Sequence, residues 1–326
     1  MKRILITGAA GFIGFHLARY LKDRGDQIIG LDNFNSYYDV HLKKRREAAL
    51  LQEGIEIIEA DIQKTSLLKD LIAKHQITHL VHLAAQAGVR YSFANPEDYV
   101  SSNLQGFASI LEACRVTPSI KLIYASSSSV YGLNEKIPFS VDDRTDQPAN
   151  LYGATKKANE VMAHAYHHLY GLSTTALRYF TAYGPWGRPD MAYYRFTKHI
   201  CEGTPIQIFN RGKMRRDFTY IDDIVKGTAA AIDLGAANEI FNLGNNRPID
   251  LLYLVDLLED ALQKKAIKEF LPMQPGEVTE TYADIEKSIR ILNFHPTVQL
   301  EEGILRFIDW FKCFHQLSEG SLALRR

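Results

Sequence analysis

The sequence predicts an α/β fold in which a doubly wound parallel sheet carries a smaller, mixed C-terminal lobe. Short apolar runs rich in β-branched residues alternate with helical patterns, and the turn after the first run is rich in glycine. At 46% hydrophobic and 23% charged residues, the chain can also bury a large core. Its 326 residues correspond to roughly two domains at about 150 residues each.

The first strand–helix–strand unit has the pattern of a dinucleotide-binding site. RILIT (3–7) predicts a buried strand, the glycine turn GAAGFIG follows it, and a second strand, QIIGLD, ends at Asp32. Gly8 permits the tight turn, Gly11 lets the backbone approach a pyrophosphate, and Gly14 allows the helix to pack closely on the strand. The Asp32 carboxylate can accept hydrogen bonds from ribose hydroxyls and repels a 2′-phosphate. The unit therefore predicts NAD in preference to NADP, with a purely structural glycine turn as the alternative.

The alternation continues along the first half of the chain. Further strands are predicted at 55–62, 79–85 and 121–127, with helices at 66–75 and 99–114. Ligands bind at the carboxyl ends of parallel strands, so these ends and the glycine turn supply the predicted cofactor contacts. Besides the residues named above, these contacts are Phe12, Ile13, Asn33, Asp61, Ile62, Leu83, Ala84, Ala85, Gln86 and Ser126. The basic segment HLKKRRE (41–47) is interpreted as a solvated helix face in preference to an anion site.

Tyr152 and Lys156 stand four residues apart in a segment with a helical pattern, so they share one helix face. A lysine ammonium beside a phenol favours the phenolate, and we expect it to lower the pKa of the tyrosine and give a base near neutral pH. Tyr194 and Lys198 have the same spacing, but Tyr152 follows a serine cluster (126–129) at a predicted strand end. The first pair is the candidate catalytic pair, and Tyr194 is interpreted as a packing or substrate-rim residue.

Several motifs establish a resemblance to a known family. TGAAGFIG (7–14), YASSSSVYG (124–132) and the Tyr152–Lys156 pair resemble the extended short-chain dehydrogenase/reductases that act on nucleotide sugars. Within that family, LDNFNSYYDV, HLAAQAGVRYS, TAYGPWGRPDMAY and GKMRRDFTYIDDIV are together similar to UDP-glucuronate 4-epimerases. The resemblance runs from Lys2 to about Asp284 and implies a Rossmann-type sheet.

The resemblance implies an isomerase that reversibly epimerises C4 of UDP-glucuronate to UDP-galacturonate through a transient 4-keto sugar, with NAD as cofactor. It implies a catalytic triad of Tyr152, Lys156 and Ser127, with Ser128 as a lesser candidate for the serine. It adds cofactor contacts at Asn103, Tyr179 and Phe180, besides Tyr152 and Lys156. The implied substrate contacts are Thr181 and Arg188 at the carboxylate, Arg216 at the diphosphate, and Ser127, Ser128, Tyr152, Arg90 and Glu277. Glu277 stands where the family has an aspartate.

Other activities remain as alternatives. A 4-epimerase of neutral UDP-hexoses shares the triad and differs in the carboxylate pocket. A UDP-glucuronate decarboxylase shares substrate and cofactor, but its own signature loops do not appear in the sequence. A nucleotide-sugar 4,6-dehydratase is disfavoured because Ser128 and Ser129 stand where such enzymes carry an Asp–Glu pair. A non-catalytic NAD(H)-binding sensor would be expected to lack the tyrosine or the lysine.

Composition bounds the partners and the compartment. Lys plus Arg and Asp plus Glu both number 38, and the resulting zero net charge disfavours a nucleic-acid partner. No apolar run reaches the ~18 residues of a membrane span. Three widely spaced cysteines favour a reducing, cytoplasmic location. No metal is expected, because His164, His167 and His168 have helical ligand spacing without a ligand from another element.

We expect residues 1–180 to form the NAD-binding domain with the triad, and residues 181–326 to form mainly the UDP-sugar lobe, with some segments crossing back. In that second part, QIFN and EIFNLG predict short strands, and 251–262 predicts an amphipathic helix. The family resemblance implies a homodimer through the helices at 99–114 and 152–169.

Overall fold

The computed structural model describes residues 1–117, 119–274, 276 and 278–316. Its strands, in chain order, are β1 (Arg3–Thr7), β2 (Gln27–Asp32), β3 (Ile57–Glu59), β4 (His79–His82), β5 (Lys121–Ser127), β6 (Ser173–Tyr179), β7 (Thr181–Tyr183), β8 (Ile206–Ile208), β9 (Arg215–Tyr220), β10 (Asn238–Leu243), β11 (Pro248–Asp250), β12 (Lys268–Phe270) and β13 (Glu280–Thr281).

The α-helices are α1 (Phe12–Asp23), α2 (Val40–Gln52), α3 (Thr65–Lys74), α4 (Tyr91–Ala94), α5 (Pro96–Tyr99), α6 (Gly106–Arg115), α7 (Leu151–Tyr170), α8 (Ala192–Glu202), α9 (Ile221–Leu234), α10 (Leu251–Leu262), α11 (Glu286–Leu292) and α12 (Leu300–Phe314). The helix predicted at 99–114 is divided, because Tyr99 ends α5 and a π-helix, Val100–Gln105, precedes α6. Within the described residues, every helix is too short or too polar to cross a bilayer.

Seven parallel strands form the central sheet in the order β10-β6-β5-β4-β1-β2-β3. Alternate side chains of β1 enter different cores: Ile4 and Ile6 pack in the core that contains Phe15 of α1, and Leu5 packs in the core that contains Phe107 of α6. Helices therefore cover both faces of the sheet. Because its strands are buried on both faces, their sequences are nearly continuous apolar runs. The predicted doubly wound parallel sheet is confirmed.

The order of the strands reverses at β1. From β1 the chain builds outward through β2 and β3 on one side, and through β4, β5 and β6 on the other. At such a switch point the loops after neighbouring strands diverge and leave a crevice at their carboxyl ends. The glycine turn after β1 and the residues after β2 and β4 all meet there.

The chain beyond residue 180 builds a second, smaller group of strands. β9 pairs with β7, β11 and β13 in a four-stranded sheet, and β8 pairs with β12. β10, the strand predicted from EIFNLG, instead pairs with β6 at the edge of the central sheet. This part of the chain therefore crosses back to the first sheet.

Candidate active site

The glycine turn forms a tight cradle at the end of β1. Gly8 has φ of +75°, and its N–H donates to the carbonyl oxygen of Leu31 at 2.7 Å. A Cβ on Gly14 would lie 2.2 Å from the carbonyl oxygen of Gly8, so α1 packs directly on the turn. No side chain of the described residues caps the N-terminus of α1, and its backbone N–H groups can therefore bind phosphate. This cradle fits the pyrophosphate of a dinucleotide.

Asp32 lies at the end of β2 with its carboxylate in the cavity lining. Its Oδ2 accepts the N–H of Ala10 at 3.0 Å, and its Oδ1 accepts the N–H of Phe34 at 2.9 Å. Burial raises the pKa of Asp32, and the nearby Lys43 ammonium opposes that rise without cancelling it. The fixed carboxylate is suited to accepting hydrogen bonds from a ribose.

Helix α2 contradicts the interpretation of segment 41–47 as a solvated face. Lys43 is 5% exposed and lines the cavity, where its Nζ donates to the backbone oxygen of Asn35 at 2.8 Å and to Asn35 Oδ1 at 2.7 Å. Arg46 is 0% exposed and donates to backbone oxygens from two other segments. The interpretation is wrong for these two residues because α2 packs across the glycine turn. Arg45 is exposed, as expected.

The candidate catalytic residues converge from α7 and the end of β5. Asn150 begins α7 with its Oδ1 accepting the N–H of Gly153 at 2.9 Å. Lys156 is 2% exposed, and its Nζ donates to the carbonyl oxygen of Ala125 at 2.8 Å. Ser127 Oγ accepts the N–H of Ser129 at 3.2 Å. Tyr152, Lys156 and Ser127 all line the same cavity.

The pKa of Tyr152 is raised, whereas the Tyr–Lys spacing predicts a lowered value. Burial raises the pKa of Tyr152, and the Arg188 charge and the Ser127 hydroxyl oppose the rise without reversing it. Burial also lowers the pKa of Lys156 to about 8. The phenol therefore needs further positive charge beside it before it can act as a base near neutral pH. An oxidised nicotinamide ring carries such a charge.

Gln86 and Asn103 were predicted to contact the cofactor, but neither is among the described residues that line the cavity. Asn103 Oδ1 accepts the N–H of Gln86 at 2.8 Å, and its Nδ2 donates to Thr155 Oγ1 at 3.0 Å. The carbonyl oxygen of Asn103, within the π-helix, accepts a hydrogen bond from Asn159 at 2.7 Å. These contacts join the loop after β4 to α7 and fix the turn that carries Tyr152.

Arg188 lines the cavity on the loop between β7 and α8. Its Nε donates to Asp190 Oδ1 at 3.0 Å and its Nη2 to Asp190 Oδ2 at 2.5 Å. The hydroxyl of Tyr37 donates to the same Oδ2 at 3.1 Å. Burial acts to raise the pKa of Asp190, and Arg188 outweighs it, so the carboxyl stays ionised. The guanidinium is thus held in place near Tyr152, the candidate catalytic tyrosine.

The other predicted substrate residues differ in whether they line the cavity. Thr181 begins β7 and lines the cavity. Arg216, on β9, also lines it and donates to the backbone oxygens of Val278 at 2.7 Å and Thr279 at 3.1 Å. The Arg90 guanidinium lies 4.2 Å from the ring centroid of Phe209, and Arg90 is not among the described lining residues. Glu277 lies outside the residues that the structure describes.

Most predicted site residues meet in one cavity of about 480 Å³. The predicted residues that line it are Gly8, Gly11, Phe12, Ile13, Gly14, Asp32, Asn33, Asp61, Ile62, Leu83, Ala84, Ala85, Ser126, Ser127, Ser128, Tyr152, Lys156, Tyr179, Phe180, Thr181, Arg188 and Arg216. Lining residues to which the sequence assigned no role include Asn35, Tyr37, Lys43 and Gly88. The dense polar and aromatic run LDNFNSYYDV, which begins with the last two residues of β2, is the signal that points to the first two.

The second Tyr–Lys pair has a structural role. Tyr194 is 4% exposed, its hydroxyl lies 3.0 Å from His315 Nε2, and its ring packs against Phe311 of α12. Lys198 instead lies 3.9 Å from Glu202, with its side chain 57% exposed. The interpretation of Tyr194 as a packing residue is confirmed.

Fold and site together define a dinucleotide-dependent enzyme whose candidate catalytic tyrosine lies on a helix beside the cofactor crevice. The chain belongs to the NAD dependent epimerase/dehydratase family, which matches residues 4–244. It is 51% identical to UDP-glucuronate 4-epimerase 4 of Arabidopsis thaliana over 96% of this chain and 76% of that protein.

Solved structures are similar over almost the whole chain. UDP-glucuronic acid 4-epimerase from Bacillus cereus, in complex with UDP-glucuronic acid and NAD, superposes with a TM-score of 0.91 at 38% identity, covering 96% of this chain and 99% of that one. The UDP-glucose 4-epimerase of Thermotoga maritima gives a TM-score of 0.88 at 29% identity, with the same coverage of both chains.

Proposed function

We propose that this protein is a UDP-glucuronate 4-epimerase that interconverts UDP-glucuronate and UDP-galacturonate. The observation that carries the proposal is a cation, Arg188, in the lining of the cavity that contains Tyr152 and Lys156, with N–H donors beyond those that bind Asp190. A neutral sugar offers those donors no charged acceptor, whereas a uronate supplies a carboxylate. The names of the relatives in Arabidopsis thaliana and Bacillus cereus agree with this substrate.

The chain's own residues supply proton transfer and orientation. Tyr152 removes the proton of the 4-hydroxyl and later returns it to the 4-keto oxygen. Ser127, whose hydroxyl interacts with Tyr152, donates a hydrogen bond to that oxygen as its charge develops. Lys156 is fixed to the carbonyl oxygen of Ala125 and would hold the nicotinamide ribose in place. NAD, held in this cavity, would supply the hydride acceptor and donor for C4 of the sugar.

The cofactor would be held by the glycine turn at its pyrophosphate, by Asp32 at a ribose and by Tyr179 and Phe180 near the nicotinamide. Lys43, which the sequence did not assign, lies beside Asp32 and adds a fixed positive charge to the same end of the cavity. Arg216 has the charge and the position in the lining to bind the diphosphate of the substrate.

Binding of the substrate carboxylate in a fixed orientation has a chemical purpose in this reaction. The 4-keto uronate is a β-keto acid, which loses CO₂ when its C5–C6 bond aligns with the π-system of the ketone. Thr181 and Arg188 would hold the carboxylate out of that alignment. A planar guanidinium that binds both oxygens fixes direction as well as charge.

We also propose a cytoplasmic homodimer. Val161, Leu169 and Tyr170 of α7 are 58%, 65% and 52% exposed, and Val100, before α6, is 42% exposed. Apolar side chains at that exposure on neighbouring helices favour a contact between copies. Cys114, Cys201 and Cys313 are free thiols, which suits a reducing compartment.

The decisive experiment is incubation of the purified protein with UDP-glucuronate and no added reductant, followed by NMR of the sugar. A stable mixture with UDP-galacturonate is the expected result. UDP-xylose with released CO₂ would identify a decarboxylase. Turnover of UDP-glucose or UDP-N-acetylglucosamine, with none of UDP-glucuronate, would identify a neutral-sugar epimerase and refute the role of Arg188. Bound NAD without turnover of any UDP-sugar would identify a sensor.

A further inference from the structure

The loop that precedes Arg188 is held by side chains from the cofactor half of the molecule. The carbonyl oxygen of Pro185 lies 2.9 Å from Nε2 of His16 on α1. Nη2 of Arg46, on α2, donates to the next two carbonyl oxygens, Trp186 at 2.5 Å and Gly187 at 3.3 Å. Three consecutive carbonyl groups are thus fixed immediately before the residue proposed to bind the substrate carboxylate.

The same Arg46 guanidinium also holds the glycine turn. Its Nη1 donates to the carbonyl oxygen of Ala10 at 2.8 Å and contacts the Tyr38 hydroxyl at 2.8 Å. Ala10 in turn donates its N–H to Asp32. One fully buried side chain therefore connects the cofactor cradle to the loop that carries Arg188.

The loop depends on these contacts for its conformation. Trp186 has φ of +59°, a backbone region that bulky side chains rarely adopt. Its ring packs against Phe15 and Trp310, with centroids 5.2 Å and 5.5 Å away. A Cβ at Gly187 would lie 1.8 Å from the hydroxyl of Tyr193, so the chain passes through a gap that accepts glycine alone. Removal of the carbonyl contacts would let the backbone relax toward ordinary values.

We propose that Arg46 is a positioning residue that determines whether the 4-keto intermediate is epimerised or decarboxylated, an inference that rests on the proposed function. Arg46 is not among the described residues that line the cavity, and it acts through the backbone of Arg188. Asp190 fixes the guanidinium of Arg188, and Arg46 fixes the Gly187 carbonyl group in the peptide bond that leads into Arg188. A shift of about 1 Å in such a residue can change a rate by ~10²-fold.

The competing reaction is fully defined by the chemistry of the intermediate. Once the 4-hydroxyl has lost its proton to Tyr152 and C4 has lost its hydride to NAD⁺, the C5–C6 bond breaks and CO₂ leaves. The electron pair of that bond forms the enolate of the C4 ketone, and C5 then takes up a proton. The products are CO₂, a UDP-4-keto-pentose and NADH, so no further oxidant or reductant is required.

The inference is tested with Arg46→Met, which keeps an unbranched side chain of similar reach and removes all the donors. The unmodified protein and the variant are incubated with UDP-glucuronate, and the epimer, the decarboxylated sugar and CO₂ are quantified. Absorbance at 340 nm reports NADH left behind by decarboxylation. We expect the ratio of decarboxylated product to epimer to rise at least about tenfold. Arg45→Met, an exposed neighbour on the same helix, is the matched control and should keep the unmodified ratio.

Two further variants cover the case in which Arg46→Met does not fold. Arg46→Lys keeps the charge and part of the donor set, and His16→Phe removes the contact with Pro185 alone. Burial lowers the pKa of His16 to about 3, so the neutral ring donates from Nε2 and its loss introduces no charge defect. A raised ratio of decarboxylated product to epimer in these variants supports the inference.

The outcomes separate this inference from the proposed function. If the unmodified protein does not epimerise UDP-glucuronate, the proposed function fails and this inference fails with it. If the unmodified protein epimerises and the folded variants of Arg46 and His16 keep its product ratio, only the positioning role is overturned. A general loss of kcat at an unchanged ratio has the same meaning, because it indicates a structural role alone.

Discussion

Replacement of Arg188 by alanine tests the assignment of the substrate most directly. The guanidinium lines the cavity with its side chain 24% exposed and interacts electrostatically with Tyr152. An arginine has five N–H donors. In Arg188, the donor on Nε and one of the two on Nη2 are directed to Asp190. The remaining donors can bind a carboxylate without breaking that pair. Arg188 therefore does not have to exchange one anion for another when a uronate binds.

The expected magnitude follows from this geometry. A hydrogen bond to a charged group contributes about 1.5–3 kcal/mol of binding free energy. Because the Arg188–Asp190 pair stays intact when the uronate binds, none of this free energy is offset by breaking that pair. This free energy corresponds to a decrease of ~10–150-fold in kcat/KM for UDP-glucuronate. UDP lacks the uronate, so its dissociation constant should change by less than about twofold.

The assay compares kcat/KM by NMR with the affinity for UDP by calorimetry. Arg188→Ala leaves the Asp190 carboxylate without its cation, so Arg188→Ala combined with Asp190→Asn serves as the matched variant. The double variant should show the same loss of kcat/KM and regain thermal stability. The reasoning is refuted if a folded Arg188→Ala protein keeps kcat/KM within threefold (about 0.7 kcal/mol), or if UDP binding weakens as much as catalysis does.

Three further changes address the triad and its support. Tyr152→Phe should lower kcat by ~10²–10⁴-fold with an unchanged circular dichroism spectrum, whereas Tyr194→Phe, from the second Tyr–Lys pair, should stay within about twofold. Lys156→Met should abolish turnover yet raise the melting temperature at pH 7. Burial lowers the pKa of Lys156 to about 8, below its ordinary ~10.4, so the charged lysine destabilises the folded protein at pH 7 and its removal stabilises it. That gain should shrink between pH 8 and ~10 as native Lys156 loses its proton, and a gain independent of pH would contradict this origin. Glu160→Gln breaks the buried pair with Arg178 and should cost about 3–5 kcal/mol in urea unfolding. Glu112→Gln, in the more exposed pair with Arg115, should cost less than about 1 kcal/mol, and equal costs would refute the argument from burial.

The sequence predicted those parts of the molecule that depend on local rules. The order of strand, glycine turn, helix and acidic residue up to Asp32 appears in the structure as β1, α1 and β2. Gly14 packs on the Gly8 carbonyl for the reason inferred from its position. The spacing of Tyr152 and Lys156 placed both on one helix, and the serine cluster distinguished them from Tyr194 and Lys198.

What the sequence could not predict depends on contacts between distant segments. The charged run 41–47 gives no indication that Lys43 reaches the cavity and that Arg46 joins Ala10 to Trp186, since a solvated helix has the same composition. The same holds for the pKa of Tyr152. The lysine four residues away suggested a lowered value, but burial by the surrounding elements dominates and raises it.

The motif TAYGPWGRPDMAY indicates why the substrate could be inferred where the triad alone could not. Gly187 is required because the hydroxyl of Tyr193 occupies the space of a side chain, and Trp186 occupies its unusual backbone region because its ring is packed between two helices. Asp190 is required to orient Arg188. All of these residues must be present together for the Arg188 guanidinium to be fixed in one orientation beside Tyr152. A triad specifies only that a hydroxyl is oxidised, and many sugars offer one. The loop that carries Arg188 holds its cation in a single direction, so the substrate must have an anionic group at a fixed distance from the hydroxyl that is oxidised. A uronate has such a group and a neutral hexose does not.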